Sequence, residues 1–417
     1  MNNKNGSKDL IWYMFGCICN GATSAVILIA TTWISGSDDA GIVTFAFTVA
    51  QQMLLIGRFE VRSFQITDAK DQFSFSEYYT HRIIFGFIMI MFSFIYVLIR
   101  KDGFYKGIVI LLLCFYKLTE AISDVFQGNF QKNNMLEKAG KTMVFRECLF
   151  MICYVSGLIV SANLVTACLY GTIAAFLWIF FFDFRIENKM QHFAICFSLN
   201  KIYVITKACF PIFVGIFANT YLINASKYMI DRFWGDTIQS YYSMIFLPVS
   251  IINMLAIIIF FPLMTTLAGM WGRKEYGVTI VVIKKVVLVI LCITIIICIL
   301  GSIIGIPILE TVYNYKLDDY YICFIILLLG GGCVSISGFL NKILIMIRKQ
   351  MTLMFLYISG AFIEMILSWI LTERFGIYGA SLAYLIGTFV LMILLGGCTG
   401  VYLKKARIRY KQEDVSE

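Results

Sequence analysis

Long apolar stretches separated by short polar breaks run through almost the whole chain. Each stretch has the length of a helix that crosses the hydrocarbon core of a bilayer, and inside lipid only a helix satisfies the backbone of such a segment. The pattern therefore predicts twelve transmembrane helices, with the fifth and sixth divided at the polar break Ser161-Ala162-Asn163. The predicted spans are residues 10–35, 40–57, 82–100, 104–127, 143–160, 163–183, 205–230, 238–265, 281–307, 320–341, 351–371 and 376–402.

Composition agrees with lipid as the main solvent. Of the 417 residues, 60% are hydrophobic and 14% are charged, whereas a soluble domain has roughly 45–50% apolar and about 25% charged residues. The connections between twelve spans are too short to fold as a soluble domain. We expect an all-α polytopic membrane protein with two six-helix bundles, residues 1–200 and 201–417, around a central cleft.

The distribution of Lys and Arg predicts the orientation. With both termini in the cytoplasm, the inner segments hold 26 basic residues and the outer segments hold 7, of the 34 in the chain. Such a bias follows the positive-inside rule. The net charge of +9 is then explained by topology and by contact with anionic lipid, so no nucleic-acid partner is expected.

Two hairpins in the chain resemble each other and indicate an internal repeat. The sequence WISGSDD at residues 33–39 precedes the second span, and FWGD at residues 233–236 precedes the eighth. Each is followed by an apolar helix and a basic inner loop. Two parallel halves of six helices are an arrangement known among transporters.

Polar residues within the spans are the candidates for function, because charge at membrane depth is costly without a partner or water. Lys117, Glu120 and Asp124 share one face of the fourth span. This face either neutralises itself as an ion network or lines an internal cavity. Polar side chains on the first, second, seventh and eighth spans favour the cavity and predict a hydrophilic cleft.

The seventh span carries the second candidate group. Its polar face holds Asn224, Lys227 and Asp231, with Arg232 beside them near the predicted outer end. Glu364 stands alone in the eleventh span, where it is either an ion-coupling site or a neutral, hydrogen-bonded acid.

Several chemical classes are disfavoured. The thirteen Cys lie mostly in apolar runs, and His81 and His192 lie outside the predicted spans, so no metal site is expected. No Walker A motif is present, and no outer loop is large enough for a catalytic constellation. We expect neither an enzyme nor a bound cofactor, although coupling to Na⁺ or H⁺ remains open.

Two stretches resemble a known family. The inner loop from Arg58 through Arg62 to Tyr78 is similar to the loop that Wzx-like polysaccharide flippases place after their second helix. The segment NASKYMID at residues 224–231 resembles their Asn-Ala-Pro-Lys-Tyr-x-Ile-Asp stretch, with Ser226 in place of the usual Pro. As in that family, a helix with a mid-span Pro (Pro248) and the loop Trp271-Gly272 follow.

The resemblance implies membership of the multidrug/oligosaccharidyl-lipid/polysaccharide superfamily, with a MATE-like fold. It implies transport of undecaprenyl-pyrophosphate-linked O-antigen or capsule repeat units across the bacterial inner membrane, by alternating access. A polysaccharide polymerase and a chain-length regulator would be partners. Lys227 and Lys117 are then the foremost candidates to bind the pyrophosphate. Arg58 and Arg62 either form an inner gate or entry site, or only reflect the excess of basic residues on the cytoplasmic side. The remaining candidates are Asn224 and Arg232 for the substrate, and Asp124, Glu120, Asp231 and Glu364 as charge partners or ion sites.

Two alternatives remain open. An ion-coupled exporter of small molecules with the same fold predicts an acidic cavity with few basic residues, which Lys117 and Lys227 disfavour. A membrane-embedded glycan polymerase or ligase predicts an altered chain length while translocation stays intact.

Overall fold

A computed structural model describes residues 3–68, 72–190 and 193–416 of the chain. Within these ranges the protein is helical, with no β-strand. The α-helices are α1 (Asn3–Ser35), α2 (Ser37–Arg58), α3 (Val61–Thr67), α4 (Phe75–Arg100), α5 (Phe104–Lys132), α6 (Leu136–Ser161), α7 (Leu164–Trp178), α8 (Phe184–Met190), α9 (Leu199–Phe246), α10 (Val249–Gly272), α11 (Tyr276–Leu300), α12 (Ile306–Tyr313), α13 (Tyr321–Met346) and α14 (Gln350–Ser416). Two π-helical turns, Ile179–Asp183 and Gly301–Gly305, join α7 to α8 and α11 to α12.

Helices lie at all twelve predicted spans. In the part of the chain that the structure describes, nine helical segments are long and apolar enough to cross a membrane. Two of them, Leu199–Phe246 and Gln350–Ile408, each contain a non-helical glycine that divides them. The predicted all-α membrane fold is confirmed. The predicted break after the fifth span is also present, because Asn163 caps α7 by accepting a hydrogen bond from the Val165 amide at 2.8 Å.

Three sequence predictions need correction. The span predicted over 238–265 is not one helix: α9 ends at Phe246 and α10 begins at Val249, because Pro248 has no N–H to continue the hydrogen-bond ladder. Residues 281–307 likewise include a π-helical turn before α12. His81 does not lie outside the spans: it is buried in α4, with Nε2 at 3.1 Å from Thr206 Oγ1. His192 lies outside the described residues.

The early start of α4 explains the error at His81. The Ser74 amide donates to Glu77 Oε2 at 2.8 Å, which fixes the helix start about two turns before the apolar run begins. The polar first turns of this helix lack the apolar signal by which the span was located.

Two glycines give the internal repeat a structural basis. Gly36, between α1 and α2, has φ 92° and ψ −176°, and Gly235, within α9, has φ 81° and ψ −174°. Glycine adopts this region with little strain, whereas other residues are largely excluded from it. The two hairpins that look alike in sequence therefore turn in the same way.

The chain divides into two compact units, Met1–Phe213 and Val214–Glu417. The sequence-based boundary was placed between residues 200 and 201. The first unit has a core rich in aromatic rings, including Phe59, Phe75, Tyr79, Phe126 and Phe130. The second unit has a largely aliphatic core, including Leu222, Ile290, Phe339, Ile343 and Leu391.

Replacing Gly235 with alanine tests the turn. A Cβ at Gly235 meets no atom within 4 Å, so the expected cost is backbone strain alone, about 1–3 kcal/mol. We expect Gly235→Ala to lower the midpoint of thermal unfolding in detergent.

Gly277→Ala is the matched control, because a Cβ there also meets nothing within 4 Å and Gly277 lies in the ordinary helix α11. Equal unfolding midpoints for the two variants would contradict the strain at Gly235.

Candidate functional site

The charged face of α5 lies at the centre of an ion network in the first unit. Lys117 Nζ donates to Glu120 Oε2 at 2.6 Å, and both side chains are buried. The ammonium also lies 4.5 Å from the centroid of the Phe47 ring. One of the predicted headgroup cations therefore neutralises a carboxylate on its own helix in this structure.

Glu120 is shared by three elements of the fold. Besides Lys117, its Oε1 accepts from Arg58 Nη2 at 2.8 Å and from Asn20 Nδ2 at 2.9 Å. Arg58 is the last residue of α2, and Asn20 lies on α1. The carboxylate therefore holds α1, α2 and α5 together.

Asp124, one turn further along α5, binds a second set of cations. Its Oδ2 accepts from Arg82 Nη2 at 2.8 Å, and its Oδ1 accepts from Arg62 Nη1 at 3.3 Å. Arg58 Nε lies 3.9 Å from the same Oδ1. Arg82 also donates to the Gly57 carbonyl at 3.0 Å, which ties α4 to the end of α2.

A third carboxylate, Glu147 on α6, was not identified from the sequence. Its Oε1 accepts from Arg146 Nη2 at 2.6 Å and from Asn20 Nδ2 at 3.2 Å, and its Oε2 accepts from Thr23 at 3.0 Å. The Tyr116 hydroxyl also donates to Glu147. Asn20 therefore bridges Glu120 and Glu147, the two glutamates of this network.

Arg82 and Arg146 lie at or near the starts of the predicted spans 82–100 and 143–160, and the sequence did not mark them as site residues. Both are buried inside helices, because α4 and α6 begin about two turns before their apolar runs. In the sequence, two adjacent charged residues inside a largely apolar run, Arg146-Glu147, were the available indication of a buried ion pair.

Among direct contacts, cations outnumber carboxylates in this network, while Glu60 and Asp183 add negative charge from further away. Five basic side chains, Arg58, Arg62, Arg82, Lys117 and Arg146, contact three acidic ones, Glu120, Asp124 and Glu147. Several guanidinium nitrogens, Arg146 Nη1 and Nε among them, have no hydrogen-bond acceptor in the described part of the protein. These N–H groups can therefore donate hydrogen bonds to an anion.

The exposed fractions separate the five cations into two groups. The side chains of Arg58 and Arg62 are 26% and 15% exposed, whereas those of Arg82, Lys117 and Arg146 are each 1% exposed. Arg58 and Arg62 are therefore the members that a ligand reaches without rearrangement.

The second unit presents the other predicted cation, Lys227, in a different setting. Its Nζ lies 4.2 Å from the centroid of the Phe246 ring, a cation–π contact. Among the described residues, no carboxylate lies within ion-pair distance of Lys227. Its charge is therefore offset by an aromatic face alone.

The other candidates on α9 have local contacts. Asn224 Nδ2 donates to the Thr220 carbonyl at 3.0 Å, which keeps the amide on its own helix. Arg232 places its guanidinium 4.5 Å from the centroid of the Trp369 ring. Asp231 is buried.

Glu364, the solitary acid, is fully buried on α14. Its Oε1 accepts from Ser368 Oγ at 2.7 Å and lies 3.3 Å from Ser226 Oγ, while Oε2 has no hydrogen-bond partner in the described region. A Cβ at Gly387 would lie 1.8 Å from Oε2, so this glycine makes room for the carboxyl. Ser226, which replaces the usual Pro of the resembling motif, contacts the solitary acid.

No group of three His, Cys, Asp or Glu side chains that suits a metal ion occurs within the described residues. The charged groups of the site are instead cations paired with carboxylates in the first unit, and Lys227 with the separate acid Glu364 in the second.

No protein-family model matches the chain. Over 387 residues it is 22% identical to the capsular polysaccharide biosynthesis protein CapF of Staphylococcus aureus, covering 91% of this chain and 96% of that protein.

Two solved structures show the fold. An inward-facing multidrug resistance MATE family transporter of the MOP superfamily superposes with a TM-score of 0.71 at 12% identity, over 93% of this chain and 95% of that one. The lipid II flippase MurJ, in an inward closed conformation, gives 0.70 at 14% identity, over 95% and 90%. The MATE-like fold predicted from the sequence is confirmed, and this chain has the architecture of MOP-superfamily transporters.

Proposed function

We propose that this protein is a flippase that moves undecaprenyl-pyrophosphate-linked oligosaccharide repeat units from the inner to the outer leaflet of the bacterial cytoplasmic membrane. The observation that carries the proposal is the excess of cations on membrane-embedded helices. The first unit gathers five basic and three acidic side chains, and Lys227 in the second lacks a carboxylate in the described part of the protein. An anionic ligand supplies the missing charge.

The chemistry of the proposed substrate matches this excess. A pyrophosphate carries several negative charges and accepts hydrogen bonds from Arg and Lys, and Arg suits bidentate contacts. The glycan requires a hydrated path, while the polyprenyl chain remains in lipid. In this proposal Arg58 and Arg62 are the headgroup contacts of the first unit and Lys227 is that of the second, each in its own unit. Lys117 holds Glu120 so that Arg58 is positioned.

The relatives support the same class of substrate. One is a capsular polysaccharide biosynthesis protein and another is a lipid II flippase. We infer a capsule-type or O-antigen-type repeat unit, transport by alternating access between the two units, cytoplasmic termini, and a polymerase with a chain-length regulator downstream.

Coupling to an ion is part of the proposal. Glu364, with one oxygen unpartnered among the described residues, is the candidate that would change charge during transport, with Na⁺ or H⁺ as the driving ion. Asp124 and Glu120 act as charge partners of the arginines, and Asp231 is the candidate partner in the second unit.

The two alternatives are less well supported. A cation exporter needs acidic groups available to its substrate, yet Glu120, Asp124 and Glu147 are buried and bound to Arg or Lys. For a polymerase or ligase, the two solved structures named above give no support, because one is a transporter and the other a flippase.

Deleting the gene tests the function directly. We expect lipid-linked repeat units to accumulate with their glycan facing the cytoplasm, because the polar headgroup does not cross the bilayer unaided. The measurement is the fraction of these units that a membrane-impermeant glycosidase or lectin reaches in spheroplasts.

Restoring the protein from a plasmid is the control for that deletion. Repeat units that stay equally accessible from outside in the deletion strain would refute the flippase. Normal accessibility combined with a changed chain length would instead favour the polymerase.

Lys227→Met tests the unpaired cation. The variant removes a charge-assisted contact worth about 1.5–3 kcal/mol, which corresponds to roughly tenfold to a hundredfold weaker substrate binding. We expect export to fall while the amount of folded protein stays unchanged, as measured by the export assay and by quantitative immunoblotting of membranes.

Lys227→Arg retains the charge and should restore much of the export. Lys117→Met is the contrasting variant, because it breaks a buried ion pair at a cost of about 3 kcal/mol and should lower the amount of folded protein. Full export by Lys227→Met would remove Lys227 from the proposed site.

A further inference from the structure

A buried aspartate lies beside the ion network and was not noticed in the sequence. Asp183 ends the π-helical turn Ile179–Asp183, and its side chain is fully enclosed. Oδ2 accepts from Ser123 Oγ at 2.7 Å, while Oδ1 has no hydrogen-bond partner within the described residues. π-helical turns are rare and frequently occur at functional sites.

A chain of hydrogen bonds connects Asp183 to Arg62. Arg62 Nη1 donates to Gln127 Oε1 at 3.2 Å, Gln127 Nε2 donates to Ser123 Oγ at 3.1 Å, and Ser123 donates to Asp183. Every donor in the chain points toward the carboxyl. The chain therefore links the buried acid to one of the two more exposed arginines.

The direction of the chain is fixed at the Arg62 end. A guanidinium has no acceptor, so Gln127 must turn its oxygen to Arg62 and its amide nitrogen to Ser123. The Ser123 hydroxyl then accepts from Gln127, and its own hydrogen is directed to Asp183. An ionised carboxyl, which only accepts hydrogen bonds, completes the sequence.

A proton bound at Asp183 Oδ2 makes the acid a donor to Ser123 Oγ, so the serine hydrogen must leave the carboxyl. In the proposed response, that hydrogen is donated to the Gln127 oxygen and the Gln127 amide rotates. The Gln127 amide nitrogen now faces Arg62, and two donors cannot bond to each other. Arg62 loses this partner and keeps Asp124, Gln131 and Tyr13.

We propose that Asp183 is a proton-binding site whose protonation, transmitted through Ser123 and Gln127, releases one N–H group of Arg62 to an anionic ligand. The proposal deepens the proposed function and rests on Arg62 being a headgroup contact. In these terms Asp183 is a positioning residue, because it acts through Arg62. The flippase would bind its pyrophosphate substrate more tightly when Asp183 carries the proton.

The surroundings of Asp183 contain few other charges. The π-helical turn packs against α5, α6, α7 and α8. Helix α6 contributes Arg146, whose positive charge acts on the carboxyl electrostatically. Helix α8 carries Glu187, which accepts from Asn129 on α5 at 2.6 Å. From α5 the direct contact is Ser123, and α7 offers Trp178, whose indole nitrogen is buried.

Infrared spectroscopy of the full-length protein in lipid nanodiscs tests proton binding. In a pH titration we expect a carboxylic-acid C=O band that disappears in Asp183→Asn and persists in Ser123→Ala. The guanidinium band assigned to Arg62 by Arg62→Lys should shift with pH in the unmodified protein and stay constant in Ser123→Ala.

Affinity for inorganic pyrophosphate, measured by titration calorimetry, tests the consequence. The unmodified protein should bind severalfold more tightly at acidic than at alkaline pH, beyond the pH dependence of Asp183→Asn. That variant keeps the titration of pyrophosphate and of the other protein groups, Glu364 included. Ser123→Ala should behave like Asp183→Asn. Glu187→Gln, a matched change at the neighbouring buried acid, should keep the full pH dependence.

Glu364 is a second buried acid with a C=O band of its own. Acid bands that are identical in the unmodified protein and in Asp183→Asn would therefore refute the proton site. A pH-dependent Arg62 band in Ser123→Ala would refute transmission through the chain. A protein that fails to bind pyrophosphate at any pH would contradict the proposed function, whereas the two infrared measurements would still decide the role of Asp183.

Discussion

Pairing of buried charge is the constraint on which the first unit depends. Glu120 and Asp124 of α5 and Glu147 of α6 each contact at least one basic side chain. A single unpaired charge at membrane depth costs roughly 2.5–3.5 kcal/mol on the insertion scale, so five cations require these acids in order to be buried. The partners come from α1, α2, α3, α4 and α6, and the same contacts that neutralise charge therefore fix the packing of these helices around α5.

In the second unit the candidate cations contact aromatic rings. Lys227 contacts the ring of Phe246, and Arg232 contacts the ring of Trp369. An aromatic face stabilises a cation by about 0.5–2 kcal/mol, less than a carboxylate in a dry site. Such a cation remains available to an incoming anion. The first unit thus combines paired and reachable arginines, and the second supplies a cation that no carboxylate in the described residues neutralises.

Much of the architecture was predictable because a segment that crosses lipid must be apolar and helical. Apolar runs located all twelve spans, and the resemblance between residues 33–39 and 233–236 anticipated two turns with the same glycine conformation. The helical spacing of Lys117, Glu120 and Asp124 marked the correct face of α5. The partners of that face were not predictable: Arg58 and Glu120 are 62 positions apart, and sequence spacing carries no information on such contacts.

The remaining errors share one physical origin. A span located by its apolar run has polar turns at its ends that are easily read as membrane boundary. Arg82 and Asp183 are the first and last residues of predicted spans, and Arg146 lies about one turn inside another. None was singled out in the sequence, yet each is buried. Pro248 was seen in the sequence, but its effect as a break between α9 and α10 was not. Polar residues within about two turns of an apolar run therefore belong among the candidates in a membrane transporter.

The most direct test of the account is transbilayer movement in liposomes that contain only the purified protein. The substrate is a pyrophosphate-linked polyprenyl oligosaccharide, and the matched control lipid has the same chain and glycan joined through a neutral linkage. We predict rapid appearance of the pyrophosphate lipid in the opposite leaflet, little movement of the neutral lipid, and a large loss of movement in Lys227→Met. Equal movement of both lipids, or no movement above protein-free liposomes, would contradict the claim that unpaired cations recognise an anionic lipid-linked substrate.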